Sequence, residues 1–417
     1  MGRPFFSFVL DSIDAARRKS IRRLLERSCP EAIAELEAWF ERALPGRRAV
    51  AVGSGRFGLA ALLEHLARES GRGRANVIIP GFSCVVVSNA VRAAHCEVRY
   101  ADIAPETLNV SPDAVRGLVD ENTVAIVVQH IFGLTDRAAV DQLKEAFPSV
   151  SIIEDCAHAL GGRYPDGQFV GAAGNFAFYS FEQSKMVTAW TGGVVVGKAG
   201  MAIDAVRAAH QKCRPAGLKS DLRLFAKLAS HYWGYRKRAG WIGRFGVRVV
   251  DKLLRFEPSI DMDERRGLFR PYGLTRFSAG QAACVLDQLR LIEGNVAHRR
   301  TLSDVYASML ASRFAVSEGA AVLRYPLWVP DKRAFIKGCT ARGVAVGDWF
   351  STPVHPSDPG IEALAYRPGS CPRAEAMTRH IVNLPTALQI DADDARRIAG
   401  IALSVEPSLA KEGASHV

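Results

Sequence analysis

The sequence predicts an α/β protein with a large domain, built on a mainly parallel sheet between helices, and a smaller α/β domain after it. Short apolar strand patterns alternate with helical patterns from residue 49 to residue 197. A glycine-rich turn, GSGRFGL (53–59), separates the first strand pattern from a helix. Beyond residue 258 a long helical pattern precedes shorter strand and helix patterns. Such alternation is typical of parallel sheets that carry helices on both faces.

The hydrophobic periodicity places these elements along the chain. Residues 1–48 are predicted to form a helical segment, because apolar residues recur at helical spacing over 12–44. The large domain is predicted over 49–257, and 49–68 form its first strand, glycine turn and helix. Further strand patterns cover 76–79, 97–102, 123–129, 151–154, 175–181 and 193–197, and helical patterns cover 85–94, 111–118 and 138–147.

The last part of the chain, residues 258–417, is predicted to hold a linking helix and the small domain. The linking helix is predicted as one amphipathic helix over 273–310. The small domain is predicted from shorter patterns over 321–328, 333–343 and 391–403.

Composition indicates a soluble globular protein, with 48% hydrophobic and 23% charged residues. No apolar stretch approaches the roughly 18 residues that a bilayer-spanning helix needs, and the apolar run 5–10 is too short for a signal peptide. A cytoplasmic location is therefore expected. The eight cysteines are scattered without a CxxC pair, so neither a zinc site nor a disulfide framework is predicted, and we expect no metal.

The stretch 152–193 carries four polar residues at the ends of predicted strands. Asp155 closes an apolar run, His158 follows it, and Ser180 and Lys185 come with the next strand pattern. Ligands of open α/β sheets bind where the carboxyl ends of the strands meet, so these side chains are expected to lie close together. We interpret Lys185 as a Schiff-base lysine for pyridoxal phosphate. The alternative is a surface lysine with a capping aspartate.

The chemistry of this cofactor suggests a role for each residue. A carboxylate at Asp155 would keep the pyridine nitrogen protonated, which makes the ring an electron sink. Lys185 must be neutral to attack an aldehyde and must then act as acid and base, and burial lowers a lysine pKa enough for that work. His158 would rest against the ring or act on Asp155, unless it only closes a strand–helix corner. The Ser180 hydroxyl can donate to the phosphate.

The glycine-rich turn is the candidate phosphate cradle. Ser54, Gly55 and Arg56 lie where the first strand pattern passes into a helix. Glycine lets the backbone approach a ligand, and the free amides at a helix start favour an anion. Turns of this kind also serve simple packing, and only the nearby lysine makes a phosphate site the better interpretation.

The motifs of the chain resemble those of the DegT/StrS family of sugar aminotransferases, in the same order. They read PGFSCVVVSNAV, ADIAPETLNVSPDAV, HIFG, IIEDCAHALGG, FVGAAGNFAFYSFEQSK, TGGVVV, RFSAGQAACVLDQL, VHP and NLPTA. The resemblance implies a fold-type-I pyridoxal-phosphate enzyme with a seven-stranded mixed sheet, acting as a homodimer. It also implies amino transfer from an amino acid such as glutamate to a keto sugar carried on a nucleotide.

The resemblance assigns the same residues to the cofactor. Lys185 would form the Schiff base, Asp155 would pair with the pyridine nitrogen, and His158 would lie near the ring. Ser180, with Gly55 and its neighbours, would hold the phosphate.

Three positions depart from the family pattern. Arg56 replaces the usual threonine of the phosphate turn, Cys84 stands where an aromatic ring commonly stacks on the cofactor, and Leu274 replaces an asparagine that reaches the partner subunit's phosphate. These departures keep a second hypothesis open, in which the chain catalyses another pyridoxal-phosphate reaction, such as that of a dehydratase, lyase or carbon–carbon-forming synthase. A branch of the family that dehydrates its substrate carries histidine in place of the lysine, and Lys185 argues against that branch.

The positive charge of the chain is concentrated in one segment. Residues 212–255 hold twelve Lys or Arg and two Asp, which is +10 of the net charge of +11. The basicity is therefore local, and nucleic acid is an unexpected partner.

This segment belongs to an insert, residues 203–257, that is longer and more basic than the family's usual connection. Two basic amphipathic helices are predicted in it, with apolar residues Leu222, Phe225, Ala229 and Trp233 on the first and Ile242, Phe245, Val249 and Leu253 on the second. One interpretation is a helical hairpin packed on the body of the enzyme or on its dimer partner. The other is a contact with an anionic membrane at its inner face, with a lipid-linked or long-chain acceptor.

Overall fold

The computed structural model of the chain describes residues 6–7, 18–24, 31–198, 200–234, 240–253, 260, 262–269, 275–314, 316–356 and 364–411. Leu274, one of the three departures from the family pattern, lies outside the described residues. Among the helices of these ranges, none is long and apolar enough to cross a lipid bilayer.

A seven-stranded mixed sheet forms the centre of the large domain. Its strands are β1 (Arg47–Val52), β2 (Asn76–Pro80), β3 (Glu97–Ala101), β4 (Thr123–Gln129), β5 (Ser151–Asp155), β6 (Phe176–Ser180) and β7 (Gly193–Lys198). They lie in the order β1-β7-β6-β5-β4-β2-β3. Only β7 runs antiparallel to its neighbours, and the other pairs are parallel. The predicted fold class is confirmed, and each predicted strand of this sheet lies within two residues of the observed one.

Helices cover both faces of the sheet because successive strand residues point to opposite sides. Val50 and Val52 of β1 pack in one buried cluster, and Ala49 and Ala51 pack in the other. The helices of the large domain are α1 (Arg18–Arg23), α2 (Ala32–Ala43), α3 (Gly55–Glu69), α4 (Val85–Ala93), α5 (Pro112–Arg116), α6 (Arg137–Ala146) and α7 (Met201–Gln211). The helix predicted over 111–118 is thus shorter than expected, because Gly117 ends it.

The basic insert forms two helices, α8 (Leu218–Gly234) and α9 (Gly240–Leu253), as predicted. A short helix, α10 (Met262–Arg265), follows them. Leu228 and Tyr232 of α8 are buried in a cluster with Trp190 and Cys284 of the main body. The first helix of the insert therefore packs on the large domain.

The prediction of a single helix over 273–310 is wrong. The structure has two helices there, α11 (Ala279–Leu289) and α12 (Ile292–Met309). Ser278 begins α11 with a capping box, and Leu291 has a non-helical backbone between the two helices. The break allows α11 to pack on the large domain and most of α12 to pack on the small one, as the buried clusters that they enter show.

The small domain has its own core. An antiparallel pair, β8 (Arg324–Trp328) and β9 (Ile381–Pro385), packs with α13 (Lys332–Ala341), α14 (Pro372–Thr378) and α15 (Ala392–Val405). The strand β8 covers the second part of the pattern predicted over 321–328. Just before it, the Leu323 amide donates to the Phe132 carbonyl of the large domain, at 2.9 Å. Three further strand pairs of two residues each are Phe6–Ser7 with Val344–Ala345, Ser83–Cys84 with Val354–His355, and Ile103–Ala104 with Asn109–Val110.

Candidate active site

The predicted site residues follow the carboxyl ends of neighbouring strands. Asp155 ends β5 and pairs in register with Phe178 of β6. Ser180 ends β6 and pairs with Gly193 of β7. Ser54, just after β1, forms an isolated bridge with Gly192. The sheet order therefore brings Ser54, Ser180 and Asp155 to one edge, although they are far apart in sequence.

The backbone of the turn before α3 comes very close to the ends of strands β6 and β7. Ser54 caps the helix, and its Oγ accepts a hydrogen bond from the Phe57 amide at 3.2 Å. A Cβ on Gly193 would lie 2.8 Å from the Gly55 nitrogen, and a Cβ on Gly55 would lie 3.4 Å from the Ser180 Cβ. Gly55 thus lies directly beside Ser180. The backbone amides that begin α3 are therefore close to the residue that carries the Ser180 hydroxyl. Amides of a helix N-terminus and a serine hydroxyl are donors that suit a phosphate.

Arg56 turns toward another partner in the structure. Its guanidinium forms an ion pair with Glu264 of α10 and lies 5.8 Å from the centre of the Phe269 ring. Both side chains of the ion pair are largely buried. The interpretation of Arg56 as a phosphate ligand stays a prediction.

Asp155 is a buried carboxylate. It is 4% exposed, and its Oδ1 accepts a hydrogen bond from the Ala157 amide at 3.0 Å. Burial raises the pKa of the Asp155 carboxyl, while the Ala157 hydrogen bond and the positive charge of Lys185 oppose that rise. A buried carboxylate is stabilised by a cationic partner, and a protonated pyridine nitrogen is such a partner.

His158 is held as a neutral ring. The Phe132 amide donates to its Nδ1 at 3.1 Å, so a neutral ring carries its proton on Nε2. The ring lies nearly parallel to those of Phe132 and Trp349, with centroid distances of 6.1 and 6.5 Å. Burial lowers the pKa of His158 well below its ordinary value, and the cations Lys185 and Arg324 lower it further.

Lys185 lies in the loop after β6, close to the other predicted residues. Burial lowers the pKa of its ammonium group. The nearby Arg324 cation also lowers it, whereas the charges of Glu182, Cys84 and Asp155 raise it. A lowered pKa increases the fraction of neutral amine, which is the nucleophilic form.

Cys84 stands at the N-cap position of α4. Burial raises the pKa of its thiol, and the negative charge of Asp155 raises it further. The positive charges of Lys185 and Arg56 lower it. The structure thus brings Cys84 into the neighbourhood of Lys185. Whether these residues bind a cofactor stays a prediction from the sequence.

Sequence reasoning missed Arg324. This arginine is 1% exposed, and its guanidinium carbon lies 3.5 Å from the centre of the Trp349 ring. Its Nη2 donates to the Ser184 carbonyl at 3.4 Å, next to Lys185. The signal in the sequence was an arginine inside the apolar strand pattern AAVLRYPLW, since a buried charge in a strand needs a special reason.

A second cluster of buried side chains, around Glu154, is explained by hydrogen bonding within the fold. His130, Glu154 and Cys156 place possible metal ligands within 4.8 Å of one another. Glu154 accepts hydrogen bonds from His130 at 2.9 Å, from the Gly174 amide at 2.5 Å and from the Tyr164 hydroxyl. Burial opposes ionisation, but these bonds and the His130 charge outweigh it and keep the pKa of Glu154 below its ordinary value. The carboxylate is thus used to satisfy buried donors.

The chain is similar to known proteins both in sequence and in fold. A family model described as the DegT/DnrJ/EryC1/StrS aminotransferase family matches residues 12–238 and 269–402. An L-glutamine:2-deoxy-scyllo-inosose aminotransferase of Streptomyces lividus is 39% identical over 121 residues, which is 29% of this chain. The match spans only 28% of that relative's length.

Solved structures show the same fold. PseC of Helicobacter pylori, an aminotransferase involved in the biosynthesis of pseudoaminic acid, matches with a TM-score of 0.70 and 17% identity, over 97% of this chain and 100% of that one. The PLP form of Spr1654 from Streptococcus pneumoniae matches with a TM-score of 0.69 and 18% identity, over 99% of this chain and 100% of that one.

Proposed function

The chain belongs to the DegT/DnrJ/EryC1/StrS aminotransferase family, and from that premise we propose that it is a pyridoxal-phosphate-dependent aminotransferase. It would move an amino group from an amino acid, glutamate or glutamine, to a keto sugar. The observation that carries the proposal is the placement of Lys185 near Asp155 and His158, at the sheet edge that also holds the Ser54–Gly55 turn.

The residues at this edge fit the cofactor. The amides that begin α3 and the Ser180 hydroxyl would hold the phosphate, and Asp155 would hold the proton of the ring nitrogen. When bound, pyridoxal phosphate supplies an electron sink for the carbon that carries the amino group. Lys185 would bind the cofactor covalently and afterwards take and return the proton at that carbon. The neutral His158 ring would lie against the cofactor and hold it in place.

Amino transfer to a keto sugar is favoured over another reaction of the same cofactor. The Streptomyces lividus relative is named for amino transfer between L-glutamine and 2-deoxy-scyllo-inosose, and PseC is named as an aminotransferase. The alternative, a dehydratase, lyase or synthase, has its support in the departures at Arg56, Cys84 and Leu274. We propose a nucleotide-linked keto sugar as the acceptor on the resemblance of the motifs.

Reconstitution tests this proposal directly. The purified chain, incubated with pyridoxal phosphate, is expected to show a visible absorption band that glutamate or glutamine bleaches, with release of the corresponding 2-oxo acid. Addition of nucleotide-linked keto sugars is expected to restore the band. A protein that binds the cofactor but releases no 2-oxo acid from either donor would show that the reaction is not transamination.

Arg324 would recognise the carboxylate of the amino donor. It is a buried cation stacked on Trp349, and it lies beside Lys185, where the amino group of a donor must arrive. Two neighbouring buried cations attract an anion, and the planar fork of arginine suits a carboxylate.

Arg324→Gln is therefore expected to raise the KM for the amino donor by about 10- to 100-fold, the range for a lost hydrogen bond to a charged group. Arg324→Lys keeps the charge but loses the fork, so its KM for the donor should lie between that of the unchanged enzyme and that of Arg324→Gln. The matched control is Arg313→Gln. Arg313 is exposed, and its guanidinium carbon lies 3.7 Å from the ring centre of Trp328, which belongs to the same strand as Arg324. Steady-state kinetics with varied donor measure the effect, and an unchanged KM with a lower kcat would assign Arg324 to another role.

We also propose that the chain acts as a homodimer with active sites completed across the interface. The support is the resemblance to the family, whose members normally act as homodimers with their active sites at the subunit interface. Light scattering on the purified protein is expected to give twice the chain mass of 45.3 kDa, and a monomer that is active would contradict the proposal.

A further inference from the structure

Within the described part of the chain, helices α8 and α9 present an exposed apolar surface. Of the large hydrophobic side chains that are exposed in the described ranges, most lie on this hairpin. Its members, which we call the hairpin surface, are Leu218, Leu222 and Trp233 of α8 and Ile242, Phe245, Val249 and Leu253 of α9. Ile242, Phe245 and Leu253 are 67%, 60% and 75% exposed. Exposed apolar patches of this kind mark sites of interaction.

The four apolar residues of α9 form a continuous stripe. Their spacings of three, four and four residues place them on one side of a helix. Val247, which points to another side, is buried, and His231 of α8 contacts Asp251 at 3.3 Å. A Cβ on Gly234 would lie 2.7 Å from the Gly243 carbonyl, so the two helices cross in close contact. The hairpin is therefore held together by a different side of α9, and the stripe is not needed for that packing.

Basic side chains border the apolar ones on both helices. On α9, Arg248 and Lys252 precede Val249 and Leu253 by one residue each, and both basic residues are exposed. On α8, Lys219 and Arg223 follow Leu218 and Leu222 in the same way. A step of one residue turns a helix by about 100°, which sets each basic residue at the edge of the apolar stripe. The segment 212–255 contributes +10 of the chain's net charge.

We propose that the hairpin surface docks on an anionic lipid bilayer. An apolar stripe bordered by Lys and Arg matches the boundary between acyl chains and anionic headgroups, where apolar side chains enter and cations stay at the headgroups. The long stems of Lys and Arg allow their charges to reach that level.

A second copy of the chain fits this surface less well. A symmetric contact places the same patch of two subunits face to face, so it would bring together two segments of +10 each. An anionic bilayer, in contrast, is complementary to the charge as well as to the apolar stripe. The docking does not depend on catalysis, so its failure would leave the proposed function intact.

The test is co-sedimentation of the full chain with lipid vesicles at low salt. Binding to vesicles of phosphatidylcholine with about one third phosphatidylglycerol is expected to exceed binding to pure phosphatidylcholine by at least about tenfold, and to fall as salt screens the charges. The double variant Phe245→Gln and Leu253→Gln is expected to lose at least about tenfold in binding. Arg248→Gln with Lys252→Gln is expected to lose roughly 25-fold, about fivefold for each cation.

Two substitutions elsewhere serve as matched controls. Met201→Gln removes an exposed apolar side chain of α7, and Lys198→Gln removes an exposed cation of β7. Both are expected to bind vesicles as the unchanged chain does. Because all substituted positions are exposed, the thermal midpoint should stay the same in every variant.

Three results would overturn the proposal. One is no binding to anionic vesicles at low salt. Another is equal binding by the hairpin variants and the controls, which would place the contact elsewhere. The third is a loss of oligomeric mass in the hairpin variants, measured by sedimentation velocity without lipid, because the surface would then be an interface between copies of the chain.

Discussion

Lys185→Ala is expected to abolish amino transfer. The variant loses both the covalent link to the cofactor and the group that moves the proton at the reacting carbon. Loss of a positioned acid–base group alone lowers kcat by about 10²- to 10⁴-fold, so the fall should be at least that large. Burial lowers the pKa of Lys185, which favours the neutral amine that both tasks require.

Two measurements check this expectation. The visible absorption band of lysine-bound pyridoxal phosphate should be absent from the variant, and release of 2-oxo acid from the donor should stop. Lys198→Ala is the matched control, because Lys198 is exposed at the opposite end of the antiparallel strand β7. A variant of Lys185 that keeps both the band and the turnover would contradict the assignment of the site.

Asp155→Asn is expected to have the second largest effect. The amide keeps the size of the side chain and can still accept the hydrogen bond from Ala157, but it does not carry the charge that holds a proton on the ring nitrogen. A nearby opposite charge shifts a pKa by about 1–3 units, so without the Asp155 carboxylate the ring nitrogen would hold its proton about 10- to 10³-fold less tightly. Because the protonated ring is the better electron sink, we expect kcat to fall by about 10²-fold, while the protein stays folded.

The readout separates catalysis from folding. Titration with pyridoxal phosphate should show weaker binding, and the pH dependence of the cofactor spectrum should change, because the ring nitrogen would lose its proton more easily. Asp141→Asn, at an exposed position of α6, serves as the control. Normal turnover with an unchanged spectrum in Asp155→Asn would show that this carboxylate does not face the ring.

Much of the large domain follows from local patterns. The runs 76–80, 123–129 and 151–155 are apolar without alternation because these central parallel strands are buried on both faces. Asp155 and Lys185 could be proposed from the strand patterns too, since Asp155 ends the run 151–155 and Lys185 follows the strand 176–180, at the edge where ligands bind.

The break between α11 and α12 could not be predicted in this way. Apolar residues continue through both helices, and the non-helical Leu291 between them carries no proline or glycine signal. The break depends on which body each helix packs against. That is a property of the assembled domains.

Contacts between residues distant in sequence could not be predicted either. Arg324 lies beside Ser184 because the small domain packs against the loop of the large one, and Arg56 meets Glu264 across more than two hundred residues of chain. Nothing local to either arginine indicates these contacts.

For the hairpin of α8 and α9, too, some properties follow from the sequence and others only from packing. The amphipathic order of residues 218–253 and their charge are properties of the sequence, and they predicted two basic helices. Both Val247 and Phe245 are apolar, however, and only packing buries the first and exposes the second. Periodicity along a chain specifies the type of element and its apolar sides, because it depends on neighbours three or four residues apart. Which apolar side is covered, and which cation stands beside Lys185, depends on contacts between elements, and these exist only in the folded molecule.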